Sequence, residues 1–371
     1  MKHFTLPALI VATVAGMTNA QDDAQARLEA TRFIRQHDAN RDGKLSRDEF
    51  PERVRGLFDR IDSNQDTLVD VDEDTAFRSR RNVNQNRPAA QRPRPNLPDG
   101  IVAARDIEYA LVDGVSLRLD VYAPKEPVEA RPLIVWIHGG GWKNGSKDQC
   151  PALRFLERGF VVASVDYRLS DVAIYPAQIQ DCKSAIRWLR ANAKQFSIDP
   201  KRIGVWGSSA GGHLVALLGT SGGDEYLEGT HGNPEQSSSV QAVCDFFGPT
   251  DFLQMDAHAL PIAPFKHDAP GSPEALVIGG PIQENKEKVA KANPVTYVTA
   301  DDPPFLIVHG DNDPLVPLHQ SQLLFEALRH VKVDVKLHVV EGGSHGFGRA
   351  PEVDKLVDEF FETTLRVSTE N

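Results

Sequence analysis

Three short stretches hold the residue types that acyl transfer needs. In "GVWGSSAGGH", Gly207, Ser209 and Gly211 form a G-x-S-x-G. It lies between a strand-like and a helix-like run, where a turn too tight for flanking side chains lifts a serine hydroxyl clear of a sheet. In "IHGGGW", successive glycines let backbone N–H groups converge on one point; Gly139 or Gly140, joined by Ala210, are the expected oxyanion donors. Trp142 beside them reads equally as an acyl-site wall or as core. The loops "HGDNDPLVP" and "GGSHGFG" each follow a strand-like run and supply Asp313 and His345, an acid to orient an imidazole and an imidazole to take the serine proton. Asp311 and Asp251 are rival acids: the first can hold a turn, the second follows another strand in "GPTDF". His338, inside a strand-like run, reads as decoration of a face.

A second chemistry lies nearer the start. "DANRDGKLSRDE", residues 38–49, has the ligand spacing of a twelve-residue calcium loop. Asp38, Asn40 and Asp42 offer side-chain oxygens, Lys44 its backbone carbonyl, Ser46 a route through water, and Glu49 both carboxylate oxygens. Gly43 stands where the loop turns sharply. "DSNQDTLVDVDE", residues 62–73, repeats the pattern with Asp62, Asn64, Asp66, Leu68 (by its carbonyl), Asp70 and Glu73. Thr67 replaces the turn glycine and resists a positive φ, so a weaker or distorted second site is expected. Leu45 and Val69 suit an inter-loop ladder, and Ile34, Phe50, Val54, Leu57, Phe58 and Ile61 suit a small core. The reading is an EF-hand pair over 21–77 whose calcium is structural, with no part in acyl transfer.

The elements that must position the acyl-transfer residues run from 101 to the end. "DIEYALV" and "VSLRLDVYA" read as a hairpin about Asp113–Gly114. "PLIVWIHGG", "GFVVASVDYRL", "RIGVWG", "VQAVCDFF", "PPFLIVHG" and "VDVKLHVVE" are apolar strands. Helix-period stretches alternate with them, among them "PAQIQDCKSAIRWLRANA", "AGGHLVALLG" and "LHQSQLLFEALRH". Such alternation means an α/β domain with a mostly parallel sheet, and the order Ser209, Asp313, His345 is that of an α/β-hydrolase triad. Residues 253–290 are irregular and could cover the site.

Residues 78–100 hold six arginines and four prolines and read as an extended linker. An anion-gripping role for them is the rival to a solvated spacer. Residues 1–20 have the layout of a secretory signal peptide, with an uncleaved anchor as the alternative; a secreted or periplasmic protein is expected. No later apolar run is long enough to span a membrane. A formal charge of −11 argues against a nucleic-acid partner. The three cysteines, Cys150, Cys182 and Cys244, make no disulfide framework.

Residues 101–371 resemble the hormone-sensitive-lipase-like carboxylesterases, and look closest to the acetyl xylan and feruloyl esterase branch. "VWIHGGGW", "VVASVDYRLS", "RIGVWGSSAGGH", "FFGPTDF" and "HGDNDPLVPLHQS" carry the resemblance. It departs at Ser208, where the wider family has Asp. The resemblance implies hydrolysis of short acyl or polysaccharide acetyl or feruloyl esters through an acyl-enzyme, with no cofactor for the chemistry. An amide-cleaving relative (a formamidase or peptidase), or a non-catalytic calcium-binding protein on a dead hydrolase scaffold, are the competing readings.

Overall fold

The computed structural model describes residues 26–50, 55, 58–85, 95–347 and 350–366. The expected signal peptide, residues 1–20, and Val54 and Leu57 of the expected small core lie outside them. The chain divides into two compact units, Met1–Arg94 and Pro95–Asn371.

In the first unit, helix α1 (residues 26–37) leads into the first acidic loop and strand β1 (Leu45–Ser46). Helix α2 (Phe58–Ile61) leads into the second loop, strand β2 (Leu68–Val69) and helix α3 (Val71–Gln85). The two strands pair antiparallel with Leu45 opposite Val69. Both side chains are fully buried, with Ile34, Phe50, Phe58 and Ile61 around them. Phe50 meets Phe33 and Phe58 edge-on, each at 5.4 Å. Burying these rings supplies about 1.5–3 kcal/mol apiece, most of what so small a core has. The stretch expected to be extended from residue 78 is helical through Gln85. Its prolines begin only at Pro88, so nothing before that point removes a helical donor.

The second unit is built on an eight-stranded sheet. Its strands are β3 (Ile101–Val112), β4 (Val115–Pro124), β5 (Arg131–Ile137), β6 (Val161–Val165), β7 (Ile198–Ser208), β8 (Ala242–Phe246), β9 (Phe305–Gly310) and β10 (Val335–Val340). The order is β10-β9-β8-β7-β5-β6-β4-β3. The strands from β10 to β6 run parallel, and β3 and β4 are antiparallel additions at one edge. The β3–β4 hairpin turns at Asp113–Gly114, both with positive φ, which matches the twist of paired strands. β3 carries register shifts between Ala104 and Ile107 and between Glu108 and Ala110. Asp106, at the first shift, has φ 57° and accepts from the buried Lys147 Nζ at 2.9 Å. The same ammonium lies 2.8 Å from Asp120 on β4.

Helices α4 (Ala177–Ala191), α5 (Ala210–Thr220) and α10 (Leu318–His330) cover one face through Ile179, Leu214 and Leu324. Helix α11 (Pro351–Leu365) and the 3₁₀ segment Pro151–Arg158 cover the other through Phe361 and Phe155. Coverage on both faces is why β5, β7 and β9 read as unbroken apolar runs. β6 is shorter than its run because the backbone leaves the sheet at Asp166, whose carboxylate accepts from Lys147 N at 2.7 Å. The short helix α6 (Glu225–Glu228) precedes β8, and α7 (Met255–His258), α8 (Pro273–Ile278) and α9 (Lys286–Ala292) lie between β8 and β9. The three cysteines form no disulfide. No helix among the described residues is long and apolar enough to cross a membrane.

Candidate active site

Ser209 stands between β7 and α5 with φ 56° and ψ −123°. A non-glycine residue there stores roughly 1–3 kcal/mol of strain, and the surrounding turn must hold it. Its neighbours show how tight that turn is. A Cβ on Gly207 would strike the Gly211 carbonyl, and one on Gly211 would strike the Ile137 carbonyl at the end of β5. Ser209 N–H donates to Phe246 O at 2.8 Å, tying the nucleophile turn to the end of β8.

The structure brings His345 to Asp313 and not to either rival acid. His345 Nδ1–H donates to Asp313 Oδ2 at 2.7 Å, so the imidazole keeps Nε2 as its basic nitrogen. Asp313 Oδ1 accepts from Leu315 N at 2.8 Å and Val316 N at 3.0 Å. Burial would raise the Asp313 carboxyl, but hydrogen bonds from His309 and His345 outweigh it and hold the carboxylate well below its usual range. Asp251 instead caps a 3₁₀ turn, accepting from Leu253 N at 3.1 Å and Gln254 Nε2 at 2.7 Å. Asp311 accepts from Gly342 N at 2.7 Å and pins the loop that carries His345. The Phe247 ring lies 4.4 Å from the His345 ring and limits its swing. No hydrogen bond joins Ser209 Oγ to His345 among the described residues.

The glycine loop lies against the nucleophile. A Cβ placed on Gly139 would be 2.7 Å from Ser208 O and 3.3 Å from Ser209 Cβ. His138 Nδ1–H donates to Gly139 O at 2.7 Å. In a trans peptide the next N–H points the opposite way, so Gly140 N–H is turned from His138. Ala210 opens α5, where an N–H has no intrahelical acceptor. Trp142 resolves as core: it is 2% exposed and packs on Phe252 and His213, each 5.2 Å away. The segment between β8 and β9 does reach this loop, since Pro273 would lie 3.2 Å from a Cβ on Gly141. His338 stays in β10, paired opposite Val308.

Sequence reasoning missed two buried groups. His309 touches Asp313, and its only signal was its place in "HGDND". Asp245 lies under the nucleophile turn, hidden in an apolar strand. It is 1% exposed, and its Oδ1 accepts from Gly248 N at 2.9 Å while Oδ2 has no partner. Burial, only partly offset by that bond, pushes its carboxyl up to about 7.

In the first unit, the acidic loops fold their oxygens inward. Asp38 accepts from Arg41, Asp42 and Gly43 N–H groups, and Glu49 accepts from Ala39, Asn40 and Ser46. Those bonds, the Ser46 ones foremost, hold the Glu49 carboxyl below its ordinary value. Asn40 and Asn64 each turn their Oδ1 to the N–H two residues on, in Asp42 and Asp66. Lys44 Nζ reaches across to Asp66 at 3.4 Å. Carboxylate oxygens of Asp62, Asp66 and Glu73 lie within 4.8 Å of one another. Thr67 does take the glycine's conformation, with φ 69° beside 85° at Gly43. Lys44 and Leu68 sit at the ends of the paired loops, beside and within the β1–β2 ladder.

The BD-FAE family profile matches residues 119–328. Esterase LipC of Mycobacterium tuberculosis is 34% identical over 235 residues, which is 62% of this chain and 56% of that protein. The chain thus spans about half the length of this curated relative. A truncated carbohydrate esterase from gut microbiota superposes with TM-score 0.64 at 34% identity, over 73% of this chain and all of that one. A thermophilic esterase of the Planctomycetes species Thermogutta terrifontis, solved with butyrate bound, gives 0.57 at 28% identity, over 74% of this chain and 97% of that one.

Proposed function

The chain belongs to the BD-FAE family, and from that premise we propose that it is a serine carboxylic-ester hydrolase working through an acyl-enzyme. One observation carries the reading. Ser209 sits on a strained strand-to-helix turn, tied through Phe246 and Phe247 to an imidazole already oriented by a buried carboxylate. His345 Nε2 takes the Ser209 proton as the oxygen attacks the ester carbonyl. Asp313 holds the tautomer and offsets the imidazolium charge. Gly139 or Gly140 N–H, with Ala210 N–H, receives the oxyanion, each donor contributing roughly 3 kcal/mol to the barrier reduction. His345 returns the proton to the leaving alcohol, then activates water to release the acid. This chemistry needs no cofactor.

The substrate class we favour is a short acyl ester or a polysaccharide acetyl or feruloyl ester. Support comes from a structural relative described as a carbohydrate esterase and another that binds butyrate. Export, expected from residues 1–20, belongs to the same reading.

We assign the first unit as an EF-hand pair that holds calcium for structure. The donor set fits: it is all oxygen, as a hard cation requires, and the Asp62, Asp66 and Glu73 oxygens converge. Asp38, Asn40, Asp42, Lys44 and Glu49 would hold one ion, and Asp62, Asn64, Asp66, Leu68 and Glu73 a second. Bound calcium would offset the mutual repulsion of these carboxylates. Ser209→Ala should abolish turnover of acetyl, butyryl and feruloyl esters and labelling by a fluorophosphonate probe; retained turnover overturns the assignment. Calorimetry of the full chain at millimolar calcium should show binding, and a flat trace removes the metal reading alone.

A further inference from the structure

Asp313 has two histidine neighbours, and only one belongs to the mechanism above. The other, His309, is the next-to-last residue of β9 and is fully buried. Its Nε2 lies 2.8 Å from Val316 O and 3.4 Å from Asp313 Oδ2. Both neighbours can only accept, so Nε2 carries the proton, with Val316 O as the main acceptor and Asp313 as a weaker second branch. Nδ1 is then bare, and it accepts from Ser321 Oγ–H of α10 at 2.7 Å. Ser321 is itself fully buried. Both nitrogens are engaged and neither can reach a substrate, so His309 is no base.

The loop it touches carries the triad acid. Asp313 Oδ1 is occupied by its own loop, through Leu315 N and Val316 N. Val316, which closes that turn, is fastened at its carbonyl by His309. The carboxylate is therefore left to present Oδ2 to the two imidazoles, His345 at 2.7 Å and His309 at 3.4 Å. We propose that His309 is a positioning residue: locked in one tautomer by Ser321, it clasps the 313–316 loop and shares Oδ2 with His345.

The inference rests on the acyl-transfer reading and adds a consequence to it. A second donor on Oδ2 draws off some of the negative charge that stabilises the triad imidazolium. Without it the acid limb of activity moves to higher pH. The groups facing His309 are Asp313, with His345 beyond it, and Ser321 from α10. The Phe247 ring at the end of β8 is 6.3 Å away, and Asp245 is on that same neighbouring strand. No ammonium or guanidinium ion-pairs with either carboxylate among the described residues.

The test compares His309→Leu, His309→Gln and Ser321→Ala in the full chain. It follows kcat and KM for a short acyl ester, and the rate of Ser209 labelling by a fluorophosphonate, across pH 5–9. Loss of the clasp on the 313–316 loop that aims the acid should lower kcat about ten- to a hundredfold in His309→Leu. KM should hold within about twofold, and the acid limb of both profiles should move to higher pH. The Gln amide can donate from the place of Nε2 and should restore most of both. Ser321→Ala should shift in the same direction by less. Equal impairment of the Leu and Gln variants, or a uniform loss with no movement of the acid limb, overturns the proposal. Should His309→Leu fail to fold, an unshifted limb in Ser321→Ala decides against it. Wild-type labelling without ester turnover would instead sink the ester reading, leaving the His309 comparison by labelling intact.

Discussion

Asp245→Asn should make the second unit more stable in alkali, and by an amount that grows with pH. Asp245 pairs across β8 with Gly207 of the nucleophile strand and Ile307 of β9, fully enclosed. Burial pushes its carboxyl from 3.8 up to about 7. The sign follows from where the proton sits. The unfolded chain releases it near 3.8 and the folded chain near 7, so between these values the folded state binds more protons. Stability therefore falls as pH rises through that window, at about 1.4 kcal/mol per pH unit, and levels off above it. The full span is about 4 kcal/mol at pH 8. Asparagine has no proton to lose, and its Oδ1 still accepts from Gly248 N. Its amide hydrogens stay unpartnered where Oδ2 was, which costs about 1–2 kcal/mol. The net gain at pH 8 is then about 2–3 kcal/mol, or roughly 5–10 °C in Tm for a unit of this size. All four tryptophans lie beyond residue 130, so their fluorescence reports on this unit alone. Melts of both proteins at pH 5, 6.5 and 8 give the answer. A difference that does not change with pH, or that favours the wild type more at pH 8 than at pH 5, refutes the account.

Three other outcomes follow from the same geometry. Gly211→Ala should cost about 2 kcal/mol or more and most of the activity, because its methyl group meets rigid backbone at Ile137 and His138; thermal melts and ester turnover check it. Asp313→Asn should lower kcat about a thousandfold or more with little change in KM, since the amide no longer enforces the tautomer that leaves Nε2 basic. Thr67→Gly should relieve about 1 kcal/mol of left-handed strain and tighten calcium at the second loop about fivefold, read by calorimetry against the wild type. An unchanged second binding step would separate loop strain from affinity.

How far the site could be read from sequence depended on what kind of constraint held each residue. Ser209 and His345 stand in tight glycine-flanked turns, and such turns leave a local signature that survives without coordinates. Asp313 was legible over Asp251 and Asp311 through its position after a strand and its order between Ser209 and His345, but that its carboxylate is the one the packed loops point at the imidazole could be seen only in the fold. That is a long-range property. His309 and Asp245 were invisible for a related reason: one looks like the end of an apolar strand, the other like its single polar interruption. Their importance lies in what packs against them from distant elements, Ser321 and Val316 in one case and Gly212 and Gly248 in the other. Strand order was legible only as far as alternation implies parallel pairing. The antiparallel β4–β6 seam was not, since no run distinguishes it. Trp142 was left open because large aromatic residues suit a pocket wall and a core alike, and its burial against Phe252 and His213 decided for core.

The outer hairpin has a bearing on how copies of this chain behave when crowded together. β3 is twelve residues long and lies at the sheet's margin, with Val102 and Leu111 exposed. A straight strand of that length would present a row of free backbone groups on which another molecule's strand could build. The break at Asp106 prevents a continuous row. Its positive φ twists the strand, and Lys147 holds its carboxylate from within. No incoming strand can match its spacing on both sides of that kink. On this view the Lys147–Asp106–Asp120 cluster does more than fill the interior: it denies the sheet margin to intermolecular growth, and it keeps a long exposed strand from seeding aggregates.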